Sequence, residues 1–250
     1  MTKILAIGNS FSQDATAYLH QMAEAAGREL KVVNLYIGGC SLEMHWNNIL
    51  ADAAAYDYEL NGRHDGRKVT IREALEEEAW DYVTLQQVSG DSGILSTYYP
   101  YIVTLSDYVK RYAPSARQLL HQTWAYELDS EHPDFVKYDR DQARMYKAVL
   151  EAYRSAASDL SLQIIPCGSV IQELRACPAF DYAGGGLSLC RDGFHMNIPY
   201  GRYALAAVWL EFILKQNIGD NSFLPPYEGE EIDPGKVQII KETVHRICSI

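Results

Sequence analysis

The stretch Lys3-Ile4-Leu5-Ala6-Ile7-Gly8-Asn9-Ser10-Phe11-Ser12 carries a short apolar run into a glycine and then into a cluster of residues that cap helices. An apolar run of that length, closed by a turn residue and followed by a helical pattern, is how a strand–helix–strand unit begins. The same rhythm recurs along the chain. Strands are predicted at Lys3–Ile7, Lys31–Ile37, Tyr82–Leu85, Gln118–Thr123 and Gln163–Ile165. Helices are predicted at Ala15–Ala26, Ser41–Ala55, Ile71–Ala79, Tyr101–Tyr112, Gln142–Ser158, Pro199–Gln216 and Gly235–Cys248. Helices covering both faces of a five-stranded parallel sheet make a three-layer α/β/α sandwich. At 250 residues, with no internal shift in composition, residues 1–250 read as one domain. One segment breaks the rhythm. Tyr56–Thr70 carries Asn61-Gly62 and Asp65-Gly66, dipeptides that favour tight hairpin turns, and reads as a small β excursion. Leu224–Gly235, with Pro225-Pro226, reads as a surface loop before the last helix.

Composition narrows the function classes. There are 33 Asp and Glu against 22 Lys and Arg, a net charge of −11, which disfavours nucleic acid and anionic membranes as partners. The five cysteines (Cys40, Cys167, Cys177, Cys190 and Cys248) are scattered and odd in number, so neither a disulfide framework nor a zinc knuckle is expected. His20, His45, His64, His121, His132 and His245 show none of the spacings of a helical metal site, and no metal or cofactor is expected. No apolar stretch approaches a membrane span. The segment behind Met1 is too short for a signal-peptide core, which fits a cytoplasmic protein; a secretory segment removed ahead of it would make the protein secreted or periplasmic.

In an open α/β sheet, ligands bind outside the carboxyl ends of the strands, so the residues after each strand are the candidates. Ser10 follows the first strand at the start of a helix, where backbone N–H groups stabilise developing negative charge; the competing reading is that Asn9, Ser10 or Ser12 only caps the helix. Gly38-Gly39-Cys40 follows the second strand, where a glycine lets a backbone N–H approach a substrate oxygen. Gln86-Gln87 follows the third and offers a side-chain amide. Far downstream, Arg191-Asp192-Gly193-Phe194-His195-Met196-Asn197 places an acid three residues before a histidine. In a single turn that spacing lets a carboxylate hold the imidazole in its working tautomer.

Serine after strand one, glycine after strand two, an amide after strand three and a late Asp-x-x-His occur in the order of the SGNH hydrolases, the GDSL-type esterases and lipases, and the chain resembles a divergent member of that superfamily. The resemblance spans nearly the whole chain and implies a flavodoxin-like sandwich. It makes Ser10 the nucleophile, His195 the general base and Asp192 its orienting carboxylate. It also assigns the oxyanion hole to the Ser10 and Gly39 amides. The family's usual Gly-Asp-Ser-Leu opening is here Gly8-Asn9-Ser10-Phe11, and its Gly-x-Asn-Asp block has no literal match. Some branches are similar in using a glutamine there, which points to Gln86 or, failing that, Gln87.

These assignments describe a serine esterase acting on a small acyl ester, with an O-acetyl group on a carbohydrate as the expected substrate. Trp46, Gln87, Tyr98 and Trp124 are the substrate-binding candidates, because aromatic faces with polar edges suit sugar rings. The alternative reading is a catalytically silent module of the same fold that holds a glycan or peptide in its strand-end cleft.

Overall fold

The computed structural model describes residues 1–226 and 231–249, so residues 227–230 of the Leu224–Gly235 loop lie outside the described residues. The first strand, β1 (Thr2–Ile7), is buried from Ile4 onward and occupies the middle of the sheet. It pairs in parallel with β2 (Leu30–Tyr36) on one side and with β5 (Tyr82–Leu85) on the other. Beyond β5 lie β6 (Arg117–His121) and β7 (Gln163–Ile165), also parallel. The five predicted strands are therefore present as one parallel set.

The sheet has seven strands rather than five, and it is mixed rather than wholly parallel. The β excursion supplies the other two. Strand β3 (Tyr56–Leu60) runs antiparallel to β2, and β4 (Arg63–Val69) antiparallel to β3, giving the order β4-β3-β2-β1-β5-β6-β7. The hairpin turn uses Asn61 and Gly62, both at positive φ, as an Asn-Gly turn requires. The outer strand tolerates an exposed, charged sequence because it is the edge of the sheet; every residue from Arg63 to Lys68 faces water.

Helices α1 (Ser10–Thr16), α2 (Leu19–Ala25), α7 (Cys167–Arg175), α8 (Tyr200–Leu214) and α9 (Pro234–Cys248) pack together as one layer. Helices α3 (Leu42–Leu50), α4 (Ile71–Glu77) and α5 (Tyr101–Tyr112) pack together in the other, where right-handed crossovers also carry α6 (Gln142–Leu160). The first helix starts earlier than its periodicity indicates, at Ser10 rather than Ala15, and breaks before Leu19. Helix α7 is absent from the predicted set. Gly168 is needed there: a Cβ on it would lie 2.0 Å from the Thr123 carbonyl oxygen.

Candidate functional site

Ser10 is the first residue of α1, and its position is fixed by Asn9, the N-cap. The Asn9 Oδ1 accepts the Phe11 N–H at 3.0 Å, and Ser12 Oγ accepts the Asn9 N–H at 3.0 Å, a reciprocal capping box. Asn9 and Ser12 make the cap, and the Ser10 hydroxyl takes no part in it. Ser12 also donates to Asn34 Oδ1 at 2.6 Å, and Asn34 donates to Glu59 Oε2 at 2.7 Å, so the hairpin strand β3 reaches back to brace the start of α1. Burial pushes the Glu59 carboxyl up from its ordinary range.

His195 meets Ser10 although 185 residues separate them: Nε2 lies 2.9 Å from Ser10 Oγ. Its Nδ1 lies 2.7 Å from Asp192 Oδ2, and Asp192 Oδ1 accepts the backbone N–H of His195 at 2.8 Å and of Phe194 at 3.2 Å. Burial raises the Asp192 carboxyl, but the hydrogen bonds from His195 and Phe194 outweigh it and hold the group below its usual 3.8. Asp192 stays ionised at neutral pH and holds the imidazole with its proton on Nδ1, leaving Nε2 to accept from the Ser10 hydroxyl.

Two anchors carry the histidine segment to α1. Asp14, fully buried on α1, accepts Arg191 at 3.0 Å, Arg202 at 2.8 Å and the Met196 N–H at 2.9 Å. On the other side, the Gly193 carbonyl accepts the Glu127 N–H at 2.7 Å and the Phe194 carbonyl accepts the Trp124 indole N–H at 2.7 Å. Gly193 itself sits at φ +84°, a backbone turn that a side chain would strain.

Gly39 is the left-handed corner of the turn after β2, at φ +65°, with the Cys40 N–H bonded to the Ile37 carbonyl at 3.2 Å. Asn9 Nδ2 donates to the Cys40 carbonyl at 3.0 Å and so locks this turn to the start of α1. Among the described residues, neither the Ser10 nor the Gly39 amide has an acceptor. Both residues line one cavity of about 340 Å³, together with Asn9, Phe11, Tyr36, Gly38, Val88, Ser89, His132, Asp134, Phe194 and His195.

The remaining expected contributors stand elsewhere. Gln86 is buried behind Asn9: its Nε2 donates to Asn9 Oδ1 at 2.7 Å and its Oε1 lies 2.8 Å from His121 Nδ1, so the amide is occupied inside the protein and does not line the cavity. Gln87 is occupied likewise, its Oε1 on the Leu42 and Val88 amides and its Nε2 on Thr97. Tyr98 is core, with its hydroxyl on the Ser92 carbonyl at 2.7 Å. Trp46 packs edge-on against Tyr108 at the interface of α3 and α5. Trp124 also fails to reach the cavity: it is wholly buried, stacked 4.0 Å from Phe11, and contributes by holding the histidine segment. Tyr36, Ser89, His132 and Asp134 line the cavity without being expected there. Tyr36 and Ser89 carry a signal that could have found them, since they are the last residue of β2 and the fourth after β5. His132 and Asp134 lie deep in the loop after β6, where no local pattern marks them.

The mixed sheet between two helical layers is the fold of solved SGNH hydrolases, and the chain shares that fold. A lipase/acylhydrolase from Enterococcus faecalis shares that fold at 16% identity, with 92% of this chain and 100% of that chain covered and a TM-score of 0.55. A catalytic mutant of an acetylxylan esterase from Geobacillus stearothermophilus shares it at 15% identity, covering 84% and 93%, with a TM-score of 0.52. The chain belongs to the DUF4886 family, a domain of unknown function, which it matches over residues 3–246. A DUF4886 family protein from Bacteroides uniformis is 38% identical, with 98% of this chain and 93% of that chain covered and a TM-score of 0.87. Comparison with curated proteins gives no match.

Proposed function

We propose that the protein is a serine esterase that removes a small acyl group, with an O-acetyl group on a carbohydrate as its ester. The observation that carries this reading is the unbroken chain of hydrogen bonds from Asp192 through His195 to Ser10, beside two amides with no acceptor. In this reading His195 Nε2 takes the Ser10 proton as Oγ attacks the ester carbonyl. The carbonyl oxygen becomes an oxyanion held by the Ser10 and Gly39 N–H groups. Collapse breaks the ester C–O bond, with His195 returning the proton to the leaving alcohol, and a water activated by the same imidazole then releases the acid. Gln86 acts indirectly, through Asn9.

The cavity supports a small substrate. Its volume of about 340 Å³ lies at the low end of the roughly 300–1,000 Å³ common for ligand pockets. An acetylxylan esterase with the same fold is a precedent for a carbohydrate acetyl ester.

A fluorophosphonate probe tests the nucleophile: labelling of the native protein that disappears in Ser10→Ala is expected. Binding of a glycan without any labelling would favour a silent module instead. In a nitrophenyl ester series, acetate is expected to be released faster than longer acids, and a preference for long chains would count against the acetyl reading.

A further inference from the structure

We propose that His132 binds the alcohol part of the substrate, its Nε2–H donating to an uncharged oxygen of a sugar, a hydroxyl or the ring ether, while the ester carbonyl meets Ser10. The proposal rests on the esterase reading and names what the far wall of the cavity recognises.

His132 caps the short 3-10 helix Pro133–Tyr138, and its Nδ1 accepts the Asp134 N–H at 3.2 Å. An acceptor at Nδ1 places the ring proton on Nε2. Among the described residues that N–H has no acceptor, and the ring lines the cavity. The ring is also held rigidly. Its centroid lies 4.7 Å from both Tyr126 and Phe194, and Phe194 in turn lies 4.1 Å from the His195 ring. Two imidazoles therefore flank one phenyl ring, one beside the nucleophile and one further along the same wall. A substrate resting on Phe194 with its carbonyl at Ser10 extends toward His132.

The charge of this wall selects the substrate class. Burial and the nearby His195 lower the proton affinity of His132, which keeps the ring neutral near pH 7. Among the described residues the lining contains no lysine or arginine, and the nearby Lys137 is already paired with Asp91 at 2.7 Å and Asp134 at 2.9 Å. A carboxylate or phosphate would meet no free cation and would face Asp134. A neutral polyol meets a donor in His132, acceptors in Asp134, and hydroxyls in Ser89 and Tyr36.

The test compares two acetyl esters, a monoacetylated methyl glycoside and p-nitrophenyl acetate, whose alcohol part has neither a hydroxyl nor a ring oxygen. In His132→Phe the glycoside-to-aryl-acetate ratio of kcat/KM is expected to fall by about tenfold or more, and in His132→Gln, which keeps an N–H, to recover in part. An unchanged ratio would overturn the proposal. Calorimetric titration of the same glycoside into Ser10→Ala, with and without His132→Phe, reads the contact without turnover. Weaker binding on loss of the ring supports the role; equal binding, or none in either protein, refutes it. Because the titration needs no hydrolysis, its result stands even if the native protein proves inactive on both esters, an outcome that would sink the esterase reading separately.

Discussion

Asn9 holds the start of α1, with Ser10, and the turn at Gly39 in one grip, and Gln86 holds Asn9. The chain of contacts runs from His121 Nδ1 to Gln86 Oε1, from Gln86 Nε2 to Asn9 Oδ1, and from Asn9 Nδ2 to the Cys40 carbonyl beside Gly39. Gln86→Met keeps the volume and removes the amide, leaving buried polar atoms on both neighbours short of a partner at a cost of about 1–3 kcal/mol each. The expected result in steady-state kinetics is a fall of about tenfold or more in kcat with KM little changed, because the Ser10 and Gly39 amides, proposed to meet the oxyanion, lose their register. An unchanged kcat would mean that the brace serves stability alone. The sequence reads Gln86, or failing it Gln87, as an oxyanion donor, whereas both amides are occupied inside the protein and neither lines the cavity. Two adjacent glutamines at a strand end give no cue to which neighbour each will face.

At the scale of elements, Asp14 joins the first helix to the segment that carries His195. Removing its carboxylate in Asp14→Ala leaves two guanidinium groups without their shared partner. Breaking a buried ion pair costs about 3–5 kcal/mol, and the lower end applies here because Arg191 and Arg202 retain access to water, with side chains 30% and 23% exposed. Urea denaturation is expected to show that loss, and activity should fall further than the folded fraction does, since the histidine segment loses an anchor. Equal losses would show that the segment holds its place by other contacts. The five parallel strands could be read because each is a short apolar run with its own turn signal. The excursion could be read as β from Asn61-Gly62, but not as an extension of the main sheet, because pairing with β2 is a relation between distant segments. Helix α7 opens on a glycine whose reason lies across the chain, at Thr123, a contact that no local pattern marks.

The whole molecule keeps two histidines entirely out of water, and this sets how its stability depends on pH. His45, 2.9 Å from the Tyr56 hydroxyl, and His121 both have their proton affinity lowered by burial, to about 3. The unfolded chain takes up these protons near pH 6.5, while the folded chain refuses them until about pH 3. Stability is therefore full above pH 6.5 and falls as the pH drops, by up to about 1.4 kcal/mol per pH unit for each ring. Denaturant titrations at pH 7, 6 and 5 should show a falling midpoint with nearly constant slope; a midpoint that does not move would mean that the rings are hydrated in solution.

Ser10 leaves the ribosome long before His195, and only the closed fold sets them 2.9 Å apart. A truncated or half-assembled polypeptide can display the serine without bringing the imidazole to it. On the proposed esterase reading, probe labelling at Ser10 doubles as a gauge of completed tertiary structure.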